Sequence, residues 1–264
     1  MKRPVPKFVA SKDGTKIAYE IDGHGHVVIL VLGALNTRRS GAKLAKLLAP
    51  RFAVVSYDRR GRGDSADTLP YSPRREVEDL EALTAAVGGP VCLYGHSSGG
   101  ALAIKATAEL RNQVRRLAVY EPPYAPNVPA RKAARAYDRT LKGLLKARRN
   151  GDAVALFVKA VGVSDKQIQA MRRLPIWRGL ERLAPTLAYE SEVLGAGHSP
   201  PIPLLSRIKT PALVIHGGAG AVSMRDAARA ISQAMPKARL RTLAGQTHGV
   251  KPDALAPILE EFFS

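Results

Sequence analysis

With 264 residues, 45% of them hydrophobic and 24% charged, the chain can bury a substantial core and falls in the range of one α/β domain carrying an insertion. No apolar run approaches the roughly 18 residues that span a membrane. The basic start, Met1 to Pro6, has no apolar segment behind it and is not expected to be a signal peptide, while the lone Cys92 excludes an internal disulfide and fits a cytoplasmic location. The formal charge of +19 raises nucleic acid or anionic lipid as partners. The basic residues, however, run from end to end without interleaved aromatics, so a solubilising surface with no nucleic-acid or membrane partner is the favoured reading.

In chain order, residues 7–11 and 16–22 read as two short strands around the turn Asp13-Gly14. Val27 to Leu32 is a continuous β-branched and aliphatic run, the mark of a strand buried on both faces of a parallel sheet. The pattern recurs at Phe52–Tyr57, Val91–Tyr94, Val114–Tyr120 and Ala212–Ile215, with a last strand at Arg239–Leu243. Helical stretches fall between them at about 40–48, 74–86, 98–110, 224–234 and 253–262. Strand and helix alternate, which points to a parallel sheet with right-handed crossovers and helices on both faces.

The alternation breaks over residues 125–206. Residues 131–149 read as an amphipathic helix with Tyr137, Leu141, Leu144 and Leu145 on one face and basic residues on the other. Asp152 opens a second helix, striped by Val154, Phe157, Val158 and Val161. Ser164-Asp165-Lys166-Gln167 is a capping box for a third, and more helix follows from Trp177 to Leu194. The expected organisation is therefore an α/β core over 1–124 and 207–264 and a helical cap over 125–206.

The chemistry centres on Leu93-Tyr94-Gly95-His96-Ser97-Ser98-Gly99-Gly100-Ala101-Leu102-Ala103, a Gly-x-Ser-x-Gly placed after a buried strand and before a helix. A serine hydroxyl is a poor nucleophile until a base takes its proton, and the turn must lift Oγ clear of the sheet. Gly95 and Gly99 leave room where side chains would clash. The helix beginning at Ser98 aims backbone N–H groups at a reacting carbonyl, with the Ser98 N–H as one oxyanion donor. A glycine-rich turn with an incidental serine is the plain alternative. The strand–helix context favours Ser97 as nucleophile.

This motif, with the loop Ser56-Tyr57-Asp58-Arg59-Arg60-Gly61-Arg62-Gly63-Asp64-Ser65, resembles the α/β-hydrolase superfamily over nearly the whole chain. The resemblance implies a mostly parallel eight-stranded sheet flanked by helices, with a cap inserted after the sixth strand. It makes the 56–65 loop structural, so Asp58 is not expected to be catalytic. It assigns the second oxyanion donor to the backbone N–H of Ala34. Among six histidines only His248 follows the last strand, where members carry the catalytic base; His216 is expected to pack at a strand end. The common acid position falls at Gly220, which has no carboxylate. Some members, haloalkane dehalogenases and resorcylic-lactone hydrolases among them, place the acid after the strand that precedes the cap, and there this chain has Glu121-Pro122-Pro123. Asp226 is the other carboxylate near Gly220.

The expected function is a serine hydrolase, with no cofactor and no metal, that transfers an acyl group to water from an ester, thioester or lactone of a small apolar molecule. Ser97, His248 and Glu121 form the triad, and Ala34 and Ser98 hold the oxyanion. Tyr124, Tyr137, Phe157, Trp177 and Tyr189 are candidates for the substrate pocket, with burial in the cap core as the competing reading. A basic cap helix at the entrance would favour anionic substrates. An amidase or C–C hydrolase could use the same residues. A slow or inactive ligand-binding homologue is suggested by Gly220, and a nucleic-acid-binding protein only by the charge. The chain is expected to act as a monomer or homodimer.

Overall fold

The β-branched runs form the middle of one eight-stranded sheet in the computed structural model, which describes residues 5–264; Met1 to Pro4 of the basic start lie outside the described residues. The strands are β1 Lys7–Ala10, β2 Lys16–Asp22, β3 His26–Val31, β4 Phe52–Tyr57, β5 Val91–His96, β6 Val114–Tyr120, β7 Ala212–Gly217 and β8 Ala238–Leu243. Their order across the sheet is β1-β2-β4-β3-β5-β6-β7-β8. The pairings β1/β2 and β2/β4 are antiparallel and all others parallel. Val28, Ile29, Leu30 and Val31 of β3 are at most 1% exposed, as a strand covered on both faces requires.

Two helix layers provide that cover. On one face α2 Pro73–Ala86, α3 Ser98–Leu110 and α10 Val222–Ala234 pack Leu80, Leu102 and Ile231 against Ile29, Leu93 and Val214. On the other, α1 Ala42–Leu48 and α11 Pro252–Phe263 pack Leu48 and Leu259 against Leu30, Tyr94 and Ile215. This is the fold that the resemblance implied.

Between β6 and β7 lie α4 Val128–Lys146, α5 Asn150–Ala160, α6 Asp165–Arg172, α7 Pro175–Leu183, α8 Leu187–Leu194 and the short α9 Ile202–Leu205. Leu141, Val154, Ile168, Trp177 and Leu187 join there in a separate apolar cluster that also takes in Ala34. The capping box at Ser164 forms, and Gln167 returns its side chain to the Ser164 N–H. Several boundaries differ from expectation: the first cap helix begins at Val128 rather than 131 and the second at Asn150 rather than Asp152. The first cap helix ends at Lys146 rather than 149, because Arg148 turns into the left-handed region at φ 55° and the Arg148 and Arg149 N–H groups close back on Leu145 and Leu144. The stretch from Trp177 to Leu194 is two helices, joined by a 3-10 turn over Ala184–Thr186 that contains Pro185, whose nitrogen has no proton to donate.

Parallel register positions the site. His96 of β5 lies beside Tyr120 of β6, Tyr120 beside Ile215 of β7, and Gly217 of β7 beside Leu243 of β8. Four adjacent strands therefore end at one edge of the sheet, and the loops that follow them meet there.

Candidate active site

Ser97 leaves β5 with φ 55° and ψ −132°, a conformation outside the favoured regions for a side-chain-bearing residue. Neighbouring backbone enforces it. A Cβ on Gly99 would stand 2.2 Å from the Val31 carbonyl oxygen, and one on Gly95 would stand 2.5 Å from Gly100 Cα. Both glycines are thus required by close backbone approach. The Ser97 N–H donates to Tyr120 O at 2.9 Å and the Gly100 N–H to Ser97 O at 2.8 Å, so the elbow is tied to β6 and to its own helix.

His248, after β8, faces this serine, with Nε2 3.1 Å from Ser97 Oγ. Its Nδ1 is 2.8 Å from Glu121 Oε2. A carboxylate can only accept, so His248 carries its proton on Nδ1, and Nε2 accepts from the serine hydroxyl. The loop is anchored twice: the Tyr120 hydroxyl donates to Thr247 O at 2.6 Å, and His96 Nε2–H donates to His248 O at 2.9 Å. Burial, together with the neighbouring His248, pushes the His96 imidazole down to about 4, which keeps that ring neutral at neutral pH.

Glu121 is fully buried at the end of β6 and has φ 46°. Its N–H donates to Ile215 O at 3.0 Å and its Oε1 accepts the Gly217 N–H at 2.8 Å, which leaves Oε2 to His248. Gly220 lies against the same carboxylate. Asp226 is two-fifths exposed on α10 and has only a loose contact with Arg225.

Ala34 and Ser98 line the same cavity as Ser97 and His248. Arg62 Nη1 donates to Gly33 O at 3.3 Å, and since a trans peptide sets its C=O and N–H in opposite directions, the Ala34 N–H points away from Arg62. Arg59 Nη1 likewise holds Leu32 O at 3.3 Å. Both guanidiniums are buried and both bind Glu190 of α8, while Arg59 also pairs with Glu76 at 2.6 Å. Burial opposes the Glu76 charge, yet the Arg59 guanidinium keeps its carboxyl at about 2. In the same loop Asp58 accepts from Arg38 and from the Asp64 N–H, and a Cβ on Gly63 would fall within 2.1 Å of its carboxylate. Asp58 is therefore held by its own loop and by Arg38, and not by the serine.

The cavity measures about 270 Å³ and its walls are mostly apolar. Of the aromatic candidates, Tyr137 and Phe157 line it. Three other aromatic candidates do not reach it. Tyr124 is 3% exposed and turned into the main core, and Pro123 takes the wall position instead. Trp177 fills the centre of the cap cluster, its indole N–H donating to Glu181 at 3.0 Å and its ring lying under Arg172. Tyr189 stacks on Tyr71 at 3.7 Å and donates to Asp67 at 2.6 Å, so it sits on a different face of α8 from Glu190 and Leu194. His216 packs at its strand end, 2.9 Å from Thr242.

The wall also includes Ala133, Ala134, Glu190, Leu194, His198 and Met224, none of them expected. Ala133 and Ala134 lie four and three positions before Tyr137, so extending the apolar face of α4 by one turn would have found them. Glu190 and His198 had no periodic signal. Among the described residues no group of three or more His, Cys, Asp or Glu side chains is placed to hold a metal ion, and no helix is long and apolar enough to cross a membrane.

Residues 24–258 match the model of the Alpha/beta hydrolase family. A solved structure described as an alpha/beta hydrolase from Sphaerobacter thermophilus is 45% identical, with a TM-score of 0.87 over 98% of this chain and 100% of that one. Curated relatives align over a shorter region. N-formylmaleamate deformylase of Pseudomonas putida is 35% identical over 104 residues, covering 38% of this chain and 39% of the relative. Proline iminopeptidase PfmaB of Pestalotiopsis fici is 33% identical over 98 residues, covering 34% and 35%. The aligned region thus spans under half the length of either curated relative.

Proposed function

Starting from a chain that belongs to the alpha/beta hydrolase family, we propose that this protein is a serine hydrolase that transfers an acyl group from an ester, thioester or lactone to water. The observation that supports it most directly is the continuous relay Ser97 Oγ, His248, Glu121, at 3.1 Å and 2.8 Å, opening into an apolar cavity.

In this reading Ser97 Oγ bonds to the substrate carbonyl carbon while its proton passes to His248 Nε2. Negative charge moves onto the carbonyl oxygen, which accepts hydrogen bonds donated by the Ala34 and Ser98 N–H groups. Glu121 stabilises the imidazolium and holds its ring. The bond to the leaving oxygen or sulfur then breaks, and that atom takes the His248 proton. Water attacks the acyl-enzyme by the same route in reverse, giving the carboxylic acid and restoring the serine. A largely apolar cavity of this size suits a small apolar acyl or alcohol group.

An amide substrate has support of its own, since curated relatives are named for deformylase and iminopeptidase activities. The binding-protein alternative arose from Gly220, where Glu121 Oε1 already lies nearby.

Mass spectrometry after exposure to a panel of esters, lactones and formamides tests the reading. A single acyl adduct on Ser97, and turnover abolished in Ser97→Ala, are expected. Turnover that survives Ser97→Ala would overturn it.

A further inference from the structure

We propose that the edge of the sheet opposite the active site is a docking surface for the phosphate backbone of a nucleic-acid duplex. The proposal is independent of the hydrolase reading, since it uses none of the same residues.

The surface forms where β7 and β8 begin beside β6. The Leu117 N–H donates to Pro211 O and the Ala212 N–H to Lys237 O, each at 3.0 Å, so the residues leading into these strands lie side by side. Two grooves of about 760 and 730 Å³ meet there and share Pro211 and Lys237. One runs along β8 and α11, the other past the C-terminal end of α3. Each has room for many water-sized groups, far more than a single ion needs. The strands are parallel, and Ser97 follows the far end of β5, roughly 20 Å away by the length of a six-residue strand.

Arg116, Lys237, Arg239 and Arg241 line the first groove, and Arg111, Arg207, Lys209 and Lys237 the second. The sequence scatters these cations from position 111 to 241, so no basic run marks the surface. The carboxylates in the lining are Glu109 and Glu261, and Glu261 is taken by Arg241 at 2.7 Å. Among the described residues the exposed Arg111, Arg207, Lys209, Lys237 and Arg239 pair with no carboxylate. Arg38, Arg59, Arg60 and Arg62, by contrast, are buried and each is paired. Concave walls lined by one sign of charge focus its field, and a polyanion that neutralises such cations is driven on by the counterions it releases.

The lining chooses among polyanions. Phe262 is the only aromatic ring in either groove, and the Arg116 guanidinium covers it at 5.8 Å from the ring centroid. No ring is free to stack an unpaired base, which disfavours a single strand. Leu240, 40% exposed, is the only exposed large apolar side chain in the lining, so a bilayer finds little to insert. A second copy is disfavoured as well. β8 is an edge strand, and antiparallel pairing with its own copy about Leu240 sets each Arg239 directly opposite an Arg241. A contact to phosphates alone fits what remains.

The test measures binding of the full chain to a short DNA duplex of mixed sequence, by fluorescence anisotropy over a range of salt. The triple variant Lys209→Ala, Lys237→Ala, Arg239→Ala is expected to bind about 10- to 100-fold more weakly at roughly 0.1 M salt. Its slope of log K against log salt should flatten by about 2 to 3, since each duplex phosphate contact contributes about 0.9. The triple Lys132→Ala, Lys166→Ala, Arg178→Ala removes the same charge from exposed cap positions and should weaken binding by less than about 3-fold. Thermal midpoints of both variants should match the native chain. Equal weakening by the two triples overturns the proposal, because the attraction would then be diffuse. Tighter binding of oligo(dT), phosphatidylserine vesicles or poly-glutamate than of the duplex overturns the duplex class. On the native chain, bound duplex is expected to protect Lys209 and Lys237 from acetylation and to leave Lys132 and Lys166 reactive. Protection of all four alike, or of none, overturns the proposal even if a variant fails to fold.

Discussion

Glu121 and Gly220 share one space: a Cβ on Gly220 would lie 3.1 Å from Glu121 Oε1. Two loops, after β6 and after β7, can each deliver a carboxylate to His248, and there is room for one. Glu121→Gln is expected to lower kcat by about 10² to 10⁴-fold with the fold intact. Gly220→Asp in the native background should also lower it, since a second carboxylate crowds the first. The pair Glu121→Ala with Gly220→Asp should regain part of the activity lost by Glu121→Ala alone. Steady-state kinetics on one ester across the four variants check this. Near-native turnover in Glu121→Gln would return the acid role to Asp226.

Glu190 links the cap to the loop that carries Ala34, the proposed oxyanion donor, through Arg62 and the Gly33 carbonyl. Glu190→Gln removes a buried charge that two buried guanidiniums share, at a cost of about 3–5 kcal/mol in stability. It should also lower kcat, within the roughly 10²- to 10³-fold limit set by loss of one oxyanion donor, because the Ala34 peptide is no longer held. KM should change less than kcat. Glu190→Asp, which restores the charge with a shorter reach, should recover stability and rate in part. Denaturant titration and the split between kcat and KM provide the measurement; a fall in stability with unchanged kcat would confine Glu190 to a packing role.

The elbow glycines have no tolerance for a methyl group. Gly99→Ala is expected to destabilise by about 1–3 kcal/mol or more, because its Cβ would meet the Val31 carbonyl of β3, a rigid neighbour. Gly143→Ala, at a cap-helix position with nothing within 4 Å, should be neutral or slightly stabilising. Thermal midpoints of the two variants make the comparison.

His96 makes stability depend on pH. Its folded value of about 4 lies below the roughly 6.5 of an unfolded histidine, so between these values the unfolded chain holds more protons than the folded one. Stability therefore rises with pH across this window, and the neutral-ring contribution is lost as pH falls from about 6.5 towards 4. Denaturant midpoints at pH 7 and pH 5 should differ less in His96→Gln than in the native chain. An equal difference in both would rule out His96 as the source.

The elements legible from sequence are those governed by neighbours in the chain. Buried β-branched runs, the capping box at Ser164 and the glycines flanking Ser97 follow local rules, and each forms where expected. The early end of the first cap helix and the break at Ala184–Thr186 are also local in origin, a left-handed Arg148 and a Pro185 within a helical pattern. His248 and Glu121 were readable only by chain order and resemblance, since 127 positions separate them and only parallel register across β5 to β8 makes their loops neighbours.

What lines the cavity was decided by tertiary structure alone. An amphipathic pattern states which face of a helix is buried, but not whether it meets a neighbouring helix or an empty chamber. Trp177, Tyr189 and Tyr124 thus look the same in sequence as Tyr137 and Phe157, yet pack against Arg172, Tyr71 and the main core. His198 reaches the cavity through a strained turn that no periodicity announces. The sequence by itself determined a serine on an elbow in an α/β sheet, because strands, turns and caps obey short-range sterics. The carboxylate's fit beside Gly220, the aim of the Ala34 N–H and the place of His198 in the cavity wall depend on contacts between distant segments, which only the folded chain brings together.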